Sequence, residues 1–192
     1  MVQRNFSISA TRKRCSAQVL AEAPAALWIL FVGIGFPLLI LATLTLRLGL
    51  FWEAAKEAAQ VSCQAQTFLT PPTYPTSALS AVQSATTTAQ NVLNIFPGCT
   101  LTQPVNVYIG ATPISGGSTN WLNAGSPNQT VSAGQIDTDQ NVYSIRVDLV
   151  GQVQPLVTFN CPYFGNIPGL TEPFPASVSE QRIFENPLGL SQ

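Results

Sequence analysis

Histidine is absent from all 192 residues. This removes the commonest general base and the commonest metal ligand, and rules out any Ser–His–Asp triad or Cys–His pair. Charge is nearly as scarce. Asp, Glu, Lys and Arg together make up 9% of the chain, against roughly 25% in an ordinary soluble protein. The formal net charge of −1 provides neither a basic footprint for nucleic acid nor an acidic tail. No phosphate-cradling Gly-rich loop occurs, because Gly116-Gly117 lacks a following Lys and helix and reads as a turn. No Cys-x-x-Cys pair is present either. Asp137 and Asp139 are the nearest approach to a cation site, but two acids in a Thr- and Gln-rich loop read more simply as solvated side chains. The expectation is a chain with no catalytic residue, no metal and no cofactor: not an enzyme.

What is abundant is apolar sequence in one place. Between Glu22 and Arg47 runs APAALWILFVGIGFPLLILATLTL, without an ionisable group. As a helix it would span about 36 Å at 1.5 Å per residue, enough for a hydrocarbon core of about 30 Å. A domain this small could hardly bury such a segment on all sides. It is also longer than the apolar region of a secretory signal, and no clean small-x-small site follows it. Arg4, Arg12, Lys13 and Arg14 precede the run while only Arg47 follows closely. The positive-inside rule then puts the N-terminus in the cytoplasm and the rest outside. Pro37, with Gly33 and Gly35 nearby, should kink or loosen the span.

The expected organisation is a basic cytoplasmic segment (1–22), a transmembrane helix (23–46), an extracytoplasmic helical hairpin (47–98) and a β-rich region (99–192). LGLFWEAAKEAAQVSCQAQTF continues the first helix with good helix formers until Pro71-Pro72, with Phe51 and Trp52 at headgroup level. A second helix, capped by Thr76 or Ser77, is expected with Ala78, Val82, Ala85, Ala89, Val92 and Phe96 along one face, ending at Pro97-Gly98. Val105, Val107 and Ile109, and more clearly Tyr143, Ile145, Val147 and Leu149, alternate with polar residues as half-buried strands. Residues 111–140 read as loop or short hairpin, Gly151 as a bulge before Val153–Val157, and Ala176–Phe184 as a weaker last strand. The fold class is α+β with a small antiparallel sheet.

Cys15 falls on the cytoplasmic side; Cys63, Cys99 and Cys161 fall outside, where disulfides persist. A hairpin turning near Pro72 would hold Cys63 and Cys99 roughly 25 Å apart, far beyond the reach of a disulfide of about 7 Å. Cys99–Cys161 is therefore the expected bridge, with Cys63 a free thiol or paired with a neighbouring chain. Glu22, at the cytoplasmic border of the apolar run, reads either as an interfacial carboxylate near Arg14 or Lys13, or as the partner of a positive charge brought by another subunit or a processed N-terminus.

Arg12-Lys13-Arg14 followed by Ser16-Ala17-Gln18-Val19-Leu20-Ala21-Glu22, the long apolar helix, the continuation WEAAKEAAQ, the strand YSIRVDLVGQVQPLV and the closing RIFENP together resemble the TadE-like family. These are pilin-like minor subunits (pseudopilins) of tight-adherence, Flp-type pilus and secretion systems. The resemblance covers about half the chain and leaves out residues 100–140. It implies a bacterial cytoplasmic-membrane protein whose partners are the lipid bilayer, other pilin-like subunits and pilus assembly proteins. It further implies a prepilin peptidase cutting between Ala17 and Gln18, which would make Glu22 the fifth residue of the mature chain, able to neutralise a neighbour's new amine inside the membrane. Ala17 stands where the family carries Gly, and Ala23 where an aromatic is common. Two other classes remain open beside it: a membrane-tethered binding or sensory domain, and a thiol-dependent enzyme using Cys63.

Overall fold

The computed structural model describes residues 23–73, 78–157 and 167–192, and the chain divides into two compact units, Met1–Ala42 and Thr43–Gln192. The fold is α+β: one long apolar helix near the N-terminus and an antiparallel sheet. Helix α1 is Ala23–Cys63, the one helix among the described residues long and apolar enough to cross a membrane.

In the first unit the apolar side chains cover the helix all round. Trp28, Ile29, Phe31 and Leu38 are all exposed. The loosening expected at Pro37 takes the form of a π-helical turn over Phe31–Gly35, in which the Phe36 N–H donates to the Phe31 carbonyl. The cause is local. Pro37 has no N–H to donate and its ring would strike the carbonyl four residues back, at Gly33, so the turn widens just before it.

In the second unit α1 becomes one-sided. Phe51, Ala54, Ala55, Ala58, Ala59, Ser62 and Cys63 are buried at spacings of three and four, which is one helical stripe. The helix ends at Cys63, eight residues before the expected stop at Pro71-Pro72. The chain beyond it is engaged by the C-terminal segment instead. The Cys63 carbonyl accepts from Glu185 N at 3.0 Å, and Phe68 N donates to the Gly189 carbonyl at 3.0 Å. Asn186 Nδ2 donates to the Gln66 carbonyl at 2.7 Å. A Cβ at Gly189 would fall on that same Gln66 carbonyl, so only glycine lets this last 3-10 turn, Pro187–Ser191, lie against the helix exit.

Helix α2 is Ala81–Leu93, capped by Ser80, whose side chain accepts from Gln83 N. The expected caps Thr76 and Ser77 lie outside the described residues. The buried face is Ala81, Ser84, Ala85, Ala89, Val92 and Leu93, rotated from the expected one, and Phe96 falls beyond the helix and is exposed.

Among the described residues five strands follow: β1 Cys99–Leu101, β2 Asn106–Pro113, β3 Asn120–Trp121, β4 Asn141–Val153 and β5 Phe174–Ile183. All pair antiparallel, and β4 is the hub. One of its edges takes β5 along ten residues, Ser144↔Ile183 to Val153↔Phe174. The other edge takes β2 over Asn141–Asp148 and then β1 over Gly151–Val153. The inward side chains of β4 are the predicted Tyr143, Ile145, Val147 and Leu149, all buried, and they share one core with Val107, Ile109, Phe51 and the buried alanines of both helices.

Gly151 is not a bulge. Its pairings with Leu101 and Ala176 are regular, and β4 runs straight through it to Val153, where the strand ends. Glycine is needed there because a Cβ would meet the Thr100 carbonyl and lie 2.8 Å from Phe51 Cζ. The helix is seated directly on the strand at this point.

A candidate membrane-interface site

The last turns of the apolar run belong to the second unit, and three loops gather around them. Arg47, the residue that ends the run, is 9% exposed. Its guanidinium donates to the Gln154 carbonyl just past β4, while Gln154 N donates to the Gly98 carbonyl at 2.7 Å. Gly98 has φ 104, and a Cβ there would lie 2.8 Å from Arg47 Cζ. Positive φ and close approach to a side chain both require glycine at this point. The Cys99 thiol donates to the Arg47 carbonyl at 3.7 Å. A third loop arrives at Gly169, φ 83, where a Cβ would lie 2.9 Å from Leu44 Cδ2.

The loops present apolar side chains outward. Ile95 and Phe96 follow α2, Leu156 and Val157 follow β4, and Ile167 precedes β5; all are exposed. Of these, Phe96 and Leu156 stand with Leu46, which is 67% exposed, and Leu50 as an apolar collar beside the helix at residues 43–50. Between them lies a groove of about 480 Å³, lined by Thr43, Thr45, Leu46, Gly49, Leu50, Phe96 and Leu156, with Arg47 as the sole charged residue among the described ones. One and a half turns further on, Trp52 is half exposed, and Lys56 Nζ lies 5.6 Å from its ring centre and 3.3 Å from Glu53 Oε1. Apolar collar, buried cation, amphipathic aromatic and then charge follow one another along the helix, the order in which a bilayer passes from hydrocarbon to headgroups to water.

The rest of the surface offers less chemistry. On the outer face of the sheet Arg146 is stacked between Tyr108 and Trp121, at 4.6 and 4.3 Å from the ring centres. It also pairs with Asp148, Nε lying 3.0 Å from Oδ1 and Nη2 donating to Oδ2 at 3.1 Å. Asp137 accepts from the backbone N–H groups of Asp139 and Gln140 at 3.1 and 3.2 Å, so it caps its own turn. Among the described residues no cluster of three metal-ligating side chains occurs.

Compared with family models, characterised proteins and solved structures, the chain matches none of them.

Of the residues singled out in the sequence, Ala17, Gln18, Glu22, Cys15 and Cys161 lie outside the described residues. Cys63 and Cys99 are both buried. The Cys99 thiol lies beside residue 47 of α1 and Cys63 stands sixteen residues further along the same helix, about 24 Å at 1.5 Å per residue. Burial pushes both thiols up from their ordinary pKa. At Cys63 the Glu185 carboxylate adds to the shift and Arg182 opposes it; at Cys99 the Arg47 charge opposes it. A raised pKa leaves less thiolate, which is the reverse of what a nucleophilic cysteine requires.

Phe96, Leu156 and the burial of Arg47 were not foreseen from the sequence. Phe96 fits the helical spacing that predicts a buried face, yet it is 54% exposed. An aromatic immediately before Pro97-Gly98, beyond the reach of any helix, was the available signal.

Proposed function

We propose that the chain is a membrane-anchored, pseudopilin-like structural or assembly subunit of a Tad/Flp-type pilus or related secretion system. In this reading the N-terminus is cytoplasmic, α1 crosses the bacterial cytoplasmic membrane, and the remainder lies outside. One observation carries it: α1 is apolar all round in its first half and one-sided in its second, as expected of a helix that leaves lipid to become the spine of a folded domain. The basic N-terminal stretch, Glu22 and the WEAAKEAAQ continuation support the more specific family reading.

The role is packing rather than chemistry. Gly33, Gly35, Ala42 and Thr43 are small enough for neighbouring helices to approach closely, and at Gly33 a Cβ would meet nothing within 4 Å. Outside the membrane, the alanine faces of α1 and α2 suit a closely packed helical hairpin. A membrane-tethered binding or sensory domain is the second reading, and the groove beside Arg47 is what favours it.

Pull-down from detergent-solubilised membranes separates the two. Co-purification with pilin-like subunits and assembly proteins supports the first. A monomer carrying a small solute supports the second and removes the first. Intact mass adds the processing step: loss of residues 1–17 supports cleavage between Ala17 and Gln18, and their retention removes it.

A further inference from the structure

We infer that the groove beside Arg47 is a phospholipid site, in which an acyl chain lies between Leu46, Leu50, Phe96 and Leu156 while the Arg47 guanidinium holds the lipid phosphate. The inference rests on the membrane-anchored reading but not on any role in a pilus.

Three observations lead to it. The first is depth. Thr43, Thr45 and Leu46 line the groove and are also the last residues of the apolar run. If that run crosses a bilayer, Phe96 and Leu156, which share the groove, stand at the outer edge of the hydrocarbon. The second is shape. About 480 Å³ of almost wholly apolar cleft lies within the range of roughly 300–1,000 Å³ usual for small-molecule sites. The third is charge. Among the described residues Arg47 is the one charged residue lining the groove; it is 9% exposed and its guanidinium donates to the Gln154 carbonyl. Guanidinium recognises phosphate through paired, planar hydrogen bonds, and residue 47 is the first after the apolar run, where phosphates lie.

The competing occupant is an apolar helix of a neighbouring subunit. It would cover the same side chains but bring no counter-charge to Arg47, which forms no ion pair among the described residues. A phosphodiester supplies the tail and the charge in one molecule. Because Arg47 is the only cation among the described residues lining the groove, a lipid of net negative charge is favoured over a zwitterionic one.

The test is native mass spectrometry of the full-length protein, released from non-ionic detergent micelles containing dioleoyl phosphatidylglycerol or dioleoyl phosphatidylcholine. One phosphatidylglycerol per chain is expected, retained at least tenfold better than phosphatidylcholine. Arg47→Gln keeps an N–H for the Gln154 carbonyl and should cut the preference below threefold. Leu156→Trp fills the groove and should lower retention of both lipids, with circular dichroism reporting that the fold is kept. Equal retention of both lipids by the native chain, or unchanged retention in Leu156→Trp, overturns the proposal. So does a dimer with no bound lipid, since it would show a second copy in the groove. A chain that stays in liposomes after alkaline extraction but does not discriminate between lipids defeats this inference alone. A chain that alkaline extraction releases defeats the membrane reading as well.

Discussion

The two halves of α1 use similar residues to opposite ends. Before Ala42, most of the Leu, Ile, Phe and Trp side chains, Leu27, Trp28, Ile29, Phe31 and Leu38 among them, are exposed, Ile40 being the buried exception. After Arg47 the same helix buries Phe51 and four alanines on one side and sets Glu53, Lys56 and Glu57 on others. In the second half the alanines let the sheet pack close, and the one large inward ring, Phe51, is seated on a strand position without a side chain, Gly151. Residue size and hydrophobic periodicity together, rather than hydrophobicity alone, mark where a helix passes from one solvent to another.

The comparison is broken most directly by removing an aromatic from each half. Phe51→Ala should destabilise the second unit by about 3–5 kcal/mol, the usual range for an emptied core aromatic, because Phe51 is wholly buried against the sheet. Phe31→Ala, by contrast, should leave its unfolding within about 0.5 kcal/mol of the native chain. Denaturant titration in micelles, followed by the near-ultraviolet signal of Trp121, measures both. Equal losses would mean that the two halves do not differ as described. Next in size is Leu39→Arg, which places a charge within the exposed apolar half. It should disfavour insertion by about 2.5–3.5 kcal/mol on the translocon scale while leaving the Phe51 core intact. Alkaline extraction of membranes would show the variant partly released; complete retention would count against a spanning helix.

Where period and composition decide a structure, it was legible beforehand. The span from Ala23, the strand carrying Tyr143, Ile145, Val147 and Leu149, the last strand near Ala176 and the existence of a helix near Val82–Val92 follow from hydrophobic patterning, and the structure contains each of them. Features that depend on distant partners were not legible. Gly151 looks like a bulge until Phe51 is placed above it. Cys63 looks mid-helix until the C-terminal turn at Gly189 takes up the next residues. Phe96 looks buried because period continues past the residue where the hydrogen bonds stop. The collar escapes for the same reason, since Leu46, Phe96 and Leu156 come from three separate stretches of sequence. The candidate processing residues Ala17, Gln18 and Glu22, and Cys161 of the expected bridge, lie outside the described residues.

Asn123 and Asn128 illustrate how a non-repetitive stretch can still be structural. Asn123 Oδ1 accepts from Ile109 N at 2.7 Å, and its Nδ2 donates to the carbonyls of Val107 and Gln129 at 3.3 and 3.1 Å. Asn128, in the left-handed region at φ 62, accepts from Val107 N at 2.7 Å and donates to the Val105 carbonyl at 2.9 Å. The two amides stand in for a missing strand along β2. Asn123→Ala would orphan a buried N–H and cost about 1–3 kcal/mol, read as a shift in the denaturant midpoint at unchanged slope. A shift below a few tenths would mean that water replaces the amide. The same bonds explain why the sequon Asn128-Gln129-Thr130 is better read as structure than as an attachment site.

The smallest expected effect separates the second unit's interior from its surface by pH. Cys63 and Cys99 have thiol pKa values raised by burial. The folded chain therefore holds their protons to higher pH than the unfolded chain does, and the folded state binds more protons in that interval. Stability from this source is present in full below the unfolded thiol pKa, near 9.0, and falls as pH rises from there through the folded values. Replacing both with Ser would flatten the alkaline limb of a stability–pH profile. In the native chain at pH 8, alkylation of these two thiols by iodoacetamide should be slower than that of a free cysteine and should accelerate on adding denaturant. Rapid labelling of Cys63 without denaturant would mean that the turn at Gly189 opens on its own, and that the spine ends in a loose joint rather than in a packed one.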